Sequence, residues 1–413
     1  MPDTLELVTA SRSLRHTAHL PASKSISNRL LLLQALSQGR IVAHNLSAAD
    51  DTQKLQHILQ HLPAQAHAGH GGTTFRFALA ALAATPEYSG VLDGSARLRE
   101  RPQGILIDAL RSLGASIECL QHEGFAPVRI HGRSLKGGTL HVEAGVSSQF
   151  LSALALVAPF TREGIRAQYQ GTPVSLSYLE MSFQLLEQCG IRVEHSAQGF
   201  EILPQTPASV KVSSEPDWSS AAYWYSFAAL SDACQIRLPG VSLHSMQPDA
   251  ACAALFTQFG VETLVDADGL LLQRKGSLCD FFAYDALQTP DLAMSLIVTC
   301  AALGIPGHIT GLQTLQHKES RRLQALQTEL AKLRYPLHIE GDHTVVLPAR
   351  HPDFSRTLIA ETYHDHRMAL CLSPLVMKCY RLAIRNPEVV NKSYPHFWRE
   401  VREAGIRFAE WEG

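Results

Sequence analysis

Six times along this chain a short head of small, hydroxylated or charged residues runs straight into an almost wholly apolar body. The bodies cover residues 30–36, 75–84, 150–158, 221–230, 292–303 and 368–377. Helices that are apolar on every side must be buried on every side. Ser, Thr and Asp in the heads suit the first turn, where a side-chain oxygen accepts a free backbone N–H, and Pro290 suits the first helical position. With residues 25, 73, 147, 219, 291 and 365 as markers, the successive gaps are 48, 74, 72, 72 and 74.

A second series keeps the same period. Amphipathic stretches end at Gly114, Gly190, Gly260 and Gly405, with Tyr335 in the equivalent place, in steps of 76, 70, 75 and 70. A glycine just past a helix permits the left-handed residue that ends it. The chain therefore reads as six units of about 73 residues, longer than the ~20–50-residue period of most solenoids. Each unit holds a buried helix, an amphipathic helix and several short strands. The expected fold is α/β with three units to a domain. The first gap is short by about 26 residues, so the first unit is expected to lack a strand pair.

The 413 residues suffice for two or three domains with sizeable cores. Thirty-six basic against 38 acidic residues leave a net charge of −2. That balance argues against nucleic-acid or membrane-surface binding, which draws on a large basic excess. The start, Met1 to Glu6, lacks the basic-then-apolar order of a signal peptide. The longest apolar stretch, 292–303, falls short of the ~20 residues of a membrane span. These features lead to the expectation of a soluble, cytoplasmic protein. The eight cysteines are scattered without a C-x-x-C pair, which points to reduced core thiols rather than disulfides or zinc.

A buried helix whose first turn offers hydroxyls, glycine amides and a cation is an anion site. Lys24 and Arg29, Gly72 and Arg76, Ser147 to Gln149, and Arg367 supply such heads. If the repeat brings them together, they fit a small polyanion carrying phosphate and carboxylate, which Arg matches bidentately and Lys as a compact charge. Asp217, Asp291 and, after Lys318, Glu319 add carboxylates that suit a general base. On residues alone Asp291 also reads as a helix cap, and 317–322 as a solvated charge run.

Eight blocks in order resemble the 5-enolpyruvylshikimate-3-phosphate synthase family. They are residues 21–29, 72–76, 98–102, 146–151, 290–294, 318–323, 365–369 and 391–395. The resemblance implies a two-domain inside-out α/β barrel of six βαβαββ units, the first one shortened. Residues 16–216 would form the first domain, and 1–15 with 217–413 the second, with helix N-termini pointing at an interdomain cleft that closes on ligand. It also implies transfer of the enolpyruvyl group of phosphoenolpyruvate to the 5-hydroxyl of shikimate 3-phosphate, in aromatic amino acid biosynthesis. No metal or cofactor is implied, and a monomer is expected.

Position by position, Lys24, Ser25, Arg29, Ser147, Ser148, Gln149, Ser175, Tyr178, Asp291 and Lys318 would hold shikimate 3-phosphate. Lys24, Gly72, Thr73, Arg101, Gln149, Arg322, Arg367 and Lys392 would hold phosphoenolpyruvate. Asp291 would take the hydroxyl proton, and Glu319 or Lys24 would serve C3 of phosphoenolpyruvate. Some positions depart from the family pattern: Ala22 stands at a usual Gly, His70-Gly71 at Asn-Ala and Leu176 at a basic residue. Thr314, Arg321 and His364 replace a usual Asn, Asp and Asn. None of these removes a cation or carboxylate assigned above.

Three other readings compete. An enolpyruvyl transferase acting on UDP-N-acetylglucosamine would need a reactive Cys loop and a Lys-Asn pair, where this chain has Lys24-Ser25. A non-catalytic anion-binding homologue would gain nothing from keeping both Asp291 and Glu319. A metal site on His364 and His366 suffers because residues i and i+2 at a helix start do not face one another.

Overall fold

The computed structural model describes residues 2–9, 11–143, 148–171 and 176–411, without the side chains of His317 and Glu410. Ser147 and Ser175 lie outside the described residues. The chain divides into two units, Ala22–Glu215 and Met1–Pro21 with Pro216–Gly413.

Each unit is built from three β-sheets and three central helices. The sheets of Ala22–Glu215 run β-strand by β-strand as Gln65–His67, Ser89–Asp93, Val128–His131, Ser116–Cys119; as Gly138–Glu143, Ile165–Gln170, Gly199–Ile202, Glu194–Ser196; and as Val210–Ser213, Ile41–His44. Those of the other unit are Ser13–Thr17, Ala233–Pro239, Gly269–Leu278, Phe259–Asp266; then Phe282–Asp285, Gly307–Thr310, Thr344–Leu347, His338–Glu340; then Thr357–Ala360, Arg381–Arg385, Thr4–Thr9, Ile406–Glu410. Every four-stranded sheet has one parallel pair followed by two antiparallel pairings. The repeat read from the helix heads is thus repeated in strand order.

The apolar bodies are the central helices. Lys24–Leu36, Gly72–Ala84 and Ser148–Val157 pack on one another in one unit, and Trp218–Leu230, Ala293–Leu303 and His366–Leu372 in the other. Residues 75–83, 221–230 and 293–302 are buried without a break, which removes from water the apolar surface that drives the packing. The heads cap as expected at Ser23, whose side chain accepts from Ile26 N, and at Asp217, which accepts from Ser220 N.

Three local expectations need correction. Gly260, expected just past a helix, lies inside the strand Phe259–Asp266, and the helix before it ends at Thr257 with Gln258 as its C-cap. The helix after Pro290 starts only at Ala293 with Leu292 as its N-cap, so Pro290 is not its first residue and Asp291 is not its cap. Asp291 stands in the turn before it, where its carboxylate can serve other groups. The left-handed residue ending Arg322–Lys332 is Arg334 (φ 56°), one position before Tyr335.

The two-stranded sheet is where the chain is short. Val210 N and Ser214 N donate to Arg40 O and His44 O, so the even-numbered residues of Ile41–His44 face Val210–Ser213 and the odd-numbered ones face away. In the other five sheets a third strand pairs on that outer edge. Here the outward N–H of Ala43 donates to Gln34 Oε1 at 2.8 Å and that of Ile41 to Ser37 Oγ at 3.1 Å. Side chains from the end of the adjoining helix thus replace part of a missing strand, a way of closing an edge.

Candidate active site

In the Ala22–Glu215 unit three helix starts meet. Lys24, the first residue of its helix, places Nζ 3.1 Å from Asp51 Oδ2. Asp51 lies in the first turn of Asp50–His61, and its carbonyl accepts the Thr74 hydroxyl at 2.9 Å. Lys24 is thereby tied to the start of Gly72–Ala84. Gly72 leaves room for a cation: a Cβ there would lie 2.6 Å from Arg101 Nη2. Its absence lets the Arg101 guanidinium lie against the helix start. Thr73 is half-buried beside it.

Arg76, one turn further on, donates from Nε to Gln103 Oε1 at 2.9 Å and from Nη1 to Gln149 Oε1 at 2.5 Å. Its guanidinium also lies 4.6 Å from the Phe150 ring centre, a cation–π contact. Gln149 is therefore held by a second helix start, with Ser148 buried before it. Arg29 is a brace. It donates to Ser25 O (2.9 Å), Ser182 Oγ (2.8 Å), Ser152 Oγ (3.1 Å) and Tyr178 O (2.8 Å). Burial lowers its pKa to about 10, which leaves it a cation at neutral pH. Ser25 and Tyr178 are half-buried and contribute carbonyls to that brace.

In the other unit the carboxylates and arginines interlock. Arg322 reaches Asp365 Oδ2 from Nε at 2.8 Å, Glu319 Oε2 from Nη2 at 3.0 Å and Asp291 Oδ1 from Nη1 at 3.5 Å. Burial works against this cation, but Asp365 and then Glu319 outweigh it and raise the Arg322 pKa above its ordinary value. Arg367 completes the ring. Its Nη2 lies 2.8 Å from Asp291 Oδ2 and 3.5 Å from Ser219 Oγ, and its Nη1 donates to Tyr223 Oη at 3.1 Å. Asp365 also caps its own helix by accepting the backbone N–H of Arg367, so one side chain holds the Arg322 guanidinium and the start of the Arg367 helix.

Asp291 is 17% exposed and Glu319 14% exposed, while Arg322 and Asp365 are 2% and 0%. The carboxylates that could move protons are open to a ligand, whereas the groups positioning them are dry. Low dielectric strengthens each of these interactions. Lys318 is half-buried next to Glu319. Lys392 donates to the His364 carbonyl at 2.6 Å, just before the Arg367 helix. His364 is exposed while His366 is buried, so the two imidazoles do not share one environment.

Within each unit, then, the helix starts singled out by their heads converge. The family profile described as EPSP synthase (3-phosphoshikimate 1-carboxyvinyltransferase) matches residues 8–68 and 61–401. The chain belongs to the EPSP synthase family. A 3-phosphoshikimate 1-carboxyvinyltransferase of Bacteroides fragilis (strain ATCC 25285) is 38% identical over 401 residues, covering 97% of this chain and 98% of the relative. One from Shewanella pealeana is 31% identical, covering 93% and 95%. The EPSP synthase structure from Acinetobacter baumannii superposes with a TM-score of 0.77 at 20% identity, over 98% of this chain and all of that one. The enolpyruvyl transferase NikO from Streptomyces tendae gives 0.73 at 16% identity, over 98% and 99%. These two likenesses speak to the fold, which is the α/β architecture expected.

Several members of the site went unassigned in the sequence. Asp51 had a faint signal, as one of two acids in the first turn of a helix. Asp365, in the His364–Arg367 head, was quoted there without a role. Ser219 and Tyr223 sit at a marked helix start but only as a cap-type residue and a body residue.

Proposed function

We propose that this chain joins phosphoenolpyruvate to the 5-hydroxyl of shikimate 3-phosphate, releasing phosphate and leaving an enolpyruvyl ether. The observation that carries this reading is Asp291 standing between Arg322 and Arg367 while Glu319 shares Arg322. A base and a second carboxyl are thereby placed among cations suited to a phosphate and a carboxylate. Lys24, Ser25, Arg29, Ser148, Gln149, Tyr178 and Lys318 hold shikimate 3-phosphate on this reading, with Ser147 and Ser175 assigned from the resemblance. Lys24, Gly72, Thr73, Arg101, Gln149, Arg322, Arg367 and Lys392 hold phosphoenolpyruvate.

The chemistry needs two stages. In addition, Asp291 takes the hydroxyl proton as the oxygen bonds to C2, and Glu319 or Lys24 delivers a proton to C3, giving a tetrahedral ketal. In elimination the C2–O bond to phosphate breaks and C3 loses a proton, restoring the double bond. Positive charge that develops at C2 is met by Asp291 and Glu319, and the departing phosphate by the arginines. Such preorganised charges are commonly the largest catalytic contribution.

The two units act as the two domains of the enzyme on this reading, the chain works as a monomer, and its place is the cytoplasm. Support for these three points is the resemblance. A phosphate-release assay tests the reaction. Release should require both shikimate 3-phosphate and phosphoenolpyruvate. Equal release with UDP-N-acetylglucosamine would favour the rival transferase, and binding without release the non-catalytic homologue.

A further inference from the structure

Asp249 is a carboxyl 2% exposed, on the short turn Pro248–Ala251. A buried carboxyl is costly unless its neighbours satisfy it. The Ser219 hydroxyl donates to its Oδ2. The same Ser219 oxygen lies 3.5 Å from Arg367 Nη2, which holds Asp291 Oδ2 at 2.8 Å. A line of polar atoms thus runs from a dry carboxyl, through one hydroxyl, to the guanidinium and the base. A hydroxyl has a single proton. When Asp249 takes it, the lone pairs of Ser219 are turned toward Arg367.

We propose that Asp249 is a positioning residue for enolpyruvyl transfer, fixing the Arg367 guanidinium through Ser219 and setting how strongly it attracts the anionic substrate. This rests on the reading of Arg367 as a phosphoenolpyruvate ligand. Among the described residues, the ionisable groups around Asp249 include Asp291, Arg367, Asp217, Cys252 and Tyr284. Burial, then the charge of Asp291, pushes its pKa up to about 7, against the pull of Ser219 and Arg367. Its charge therefore changes over the working pH range. Once ionised, Asp249 competes with phosphoenolpyruvate for the field of Arg367.

The test is steady-state kinetics from pH 6 to 9 on wild type, Asp249→Asn, Ser219→Ala and Arg367→Lys, each checked for a cooperative melt. The KM for phosphoenolpyruvate should climb more steeply with pH in wild type than in Asp249→Asn, with kcat less affected. Ionisation of the substrate is common to both and cancels. Ser219→Ala should raise that KM about three- to tenfold, the worth of one hydrogen bond. Should Asp249→Asn fail to fold, Ser219→Ala carries the same comparison. Unchanged KM and pH slope in both variants, with Arg367→Lys impaired, would overturn the inference alone. An Arg367→Lys enzyme with the wild-type KM would overturn the reading of the site beneath it.

Discussion

Arg322 grips Asp365 through two nitrogens, Nε to Oδ2 at 2.8 Å and Nη2 to Oδ1 at 3.2 Å. That fork fixes the plane of the guanidinium, so its remaining nitrogen, Nη1, lies toward Asp291. Since both partners are buried, Asp365→Ala removes the fork and leaves Arg322 to Glu319 and Asp291, a loss of about 1.5–3 kcal/mol for a charged hydrogen bond. Thermal or denaturant unfolding of Asp365→Ala should show that loss, together with a raised KM for phosphoenolpyruvate. A variant as stable as wild type would mean that Glu319 and Asp291 alone hold Arg322.

Asp291→Ala should leave shikimate 3-phosphate binding measurable by calorimetry while kcat falls by about 10²–10⁴, the usual worth of a positioned acid or base. Wild-type-like turnover would place the base elsewhere.

Gly72→Ala pushes a methyl group against the Arg101 guanidinium, at 2.6–2.8 Å before relaxation. The far end of a flexible side chain can give way, so the fold should survive and Arg101 should move. The expected outcome is a raised KM for phosphoenolpyruvate with little change in melting temperature. Unchanged kinetics would remove Arg101 from the ligand set.

Gln34→Ala and Ser37→Ala each uncap one outward N–H of the Ile41–His44 strand. The Ile41 donor is buried, so Ser37→Ala should cost about 1–3 kcal/mol, and Gln34→Ala, over the half-buried Ala43, less. The double variant should associate more readily, since an open strand edge invites pairing. Light scattering and denaturant unfolding check both effects.

Glu400 supplies a pH test. Burial pushes its carboxyl upward, but the hydrogen bonds from His16 (3.2 Å) and from His19 N (3.0 Å) prevail and hold it below its ordinary value. A depressed acid contributes stability that is present above the unfolded-state pKa and lost as pH falls through the folded one. Glu400→Gln should therefore flatten the acid limb of stability against pH, and an unaltered limb would contradict the assignment.

The repeat was legible because burial writes itself into sequence: a helix apolar all round can only be central, and six of them keep a period. What the heads did not show was exact helix starts. Asp291 also read as a cap and is a turn residue held by Arg322 and Arg367, with Leu292 as the N-cap instead. Helix ends marked by Gly114, Gly190 and Gly405 were found and the one at Gly260 was not, while those on Leu62 and Arg334 carry a side chain in the left-handed region, which leaves no compositional trace. Arg29 read as a cation of the first head, and the four protein oxygens it also serves left no trace in the sequence, since three of them lie on other helices. Gln34 and Asp249 were invisible for a shared reason: their partners lie on other elements, and no spacing announces them.

Product analysis in deuterated water tests the central claim most directly. Wild-type protein with shikimate 3-phosphate and phosphoenolpyruvate should yield one inorganic phosphate per enolpyruvyl ether by phosphorus and proton NMR. Deuterium should enter the vinyl methylene, because C3 passes through a methyl group in the ketal. Phosphate without the ether, or an ether formed with no deuterium at C3, would contradict the account.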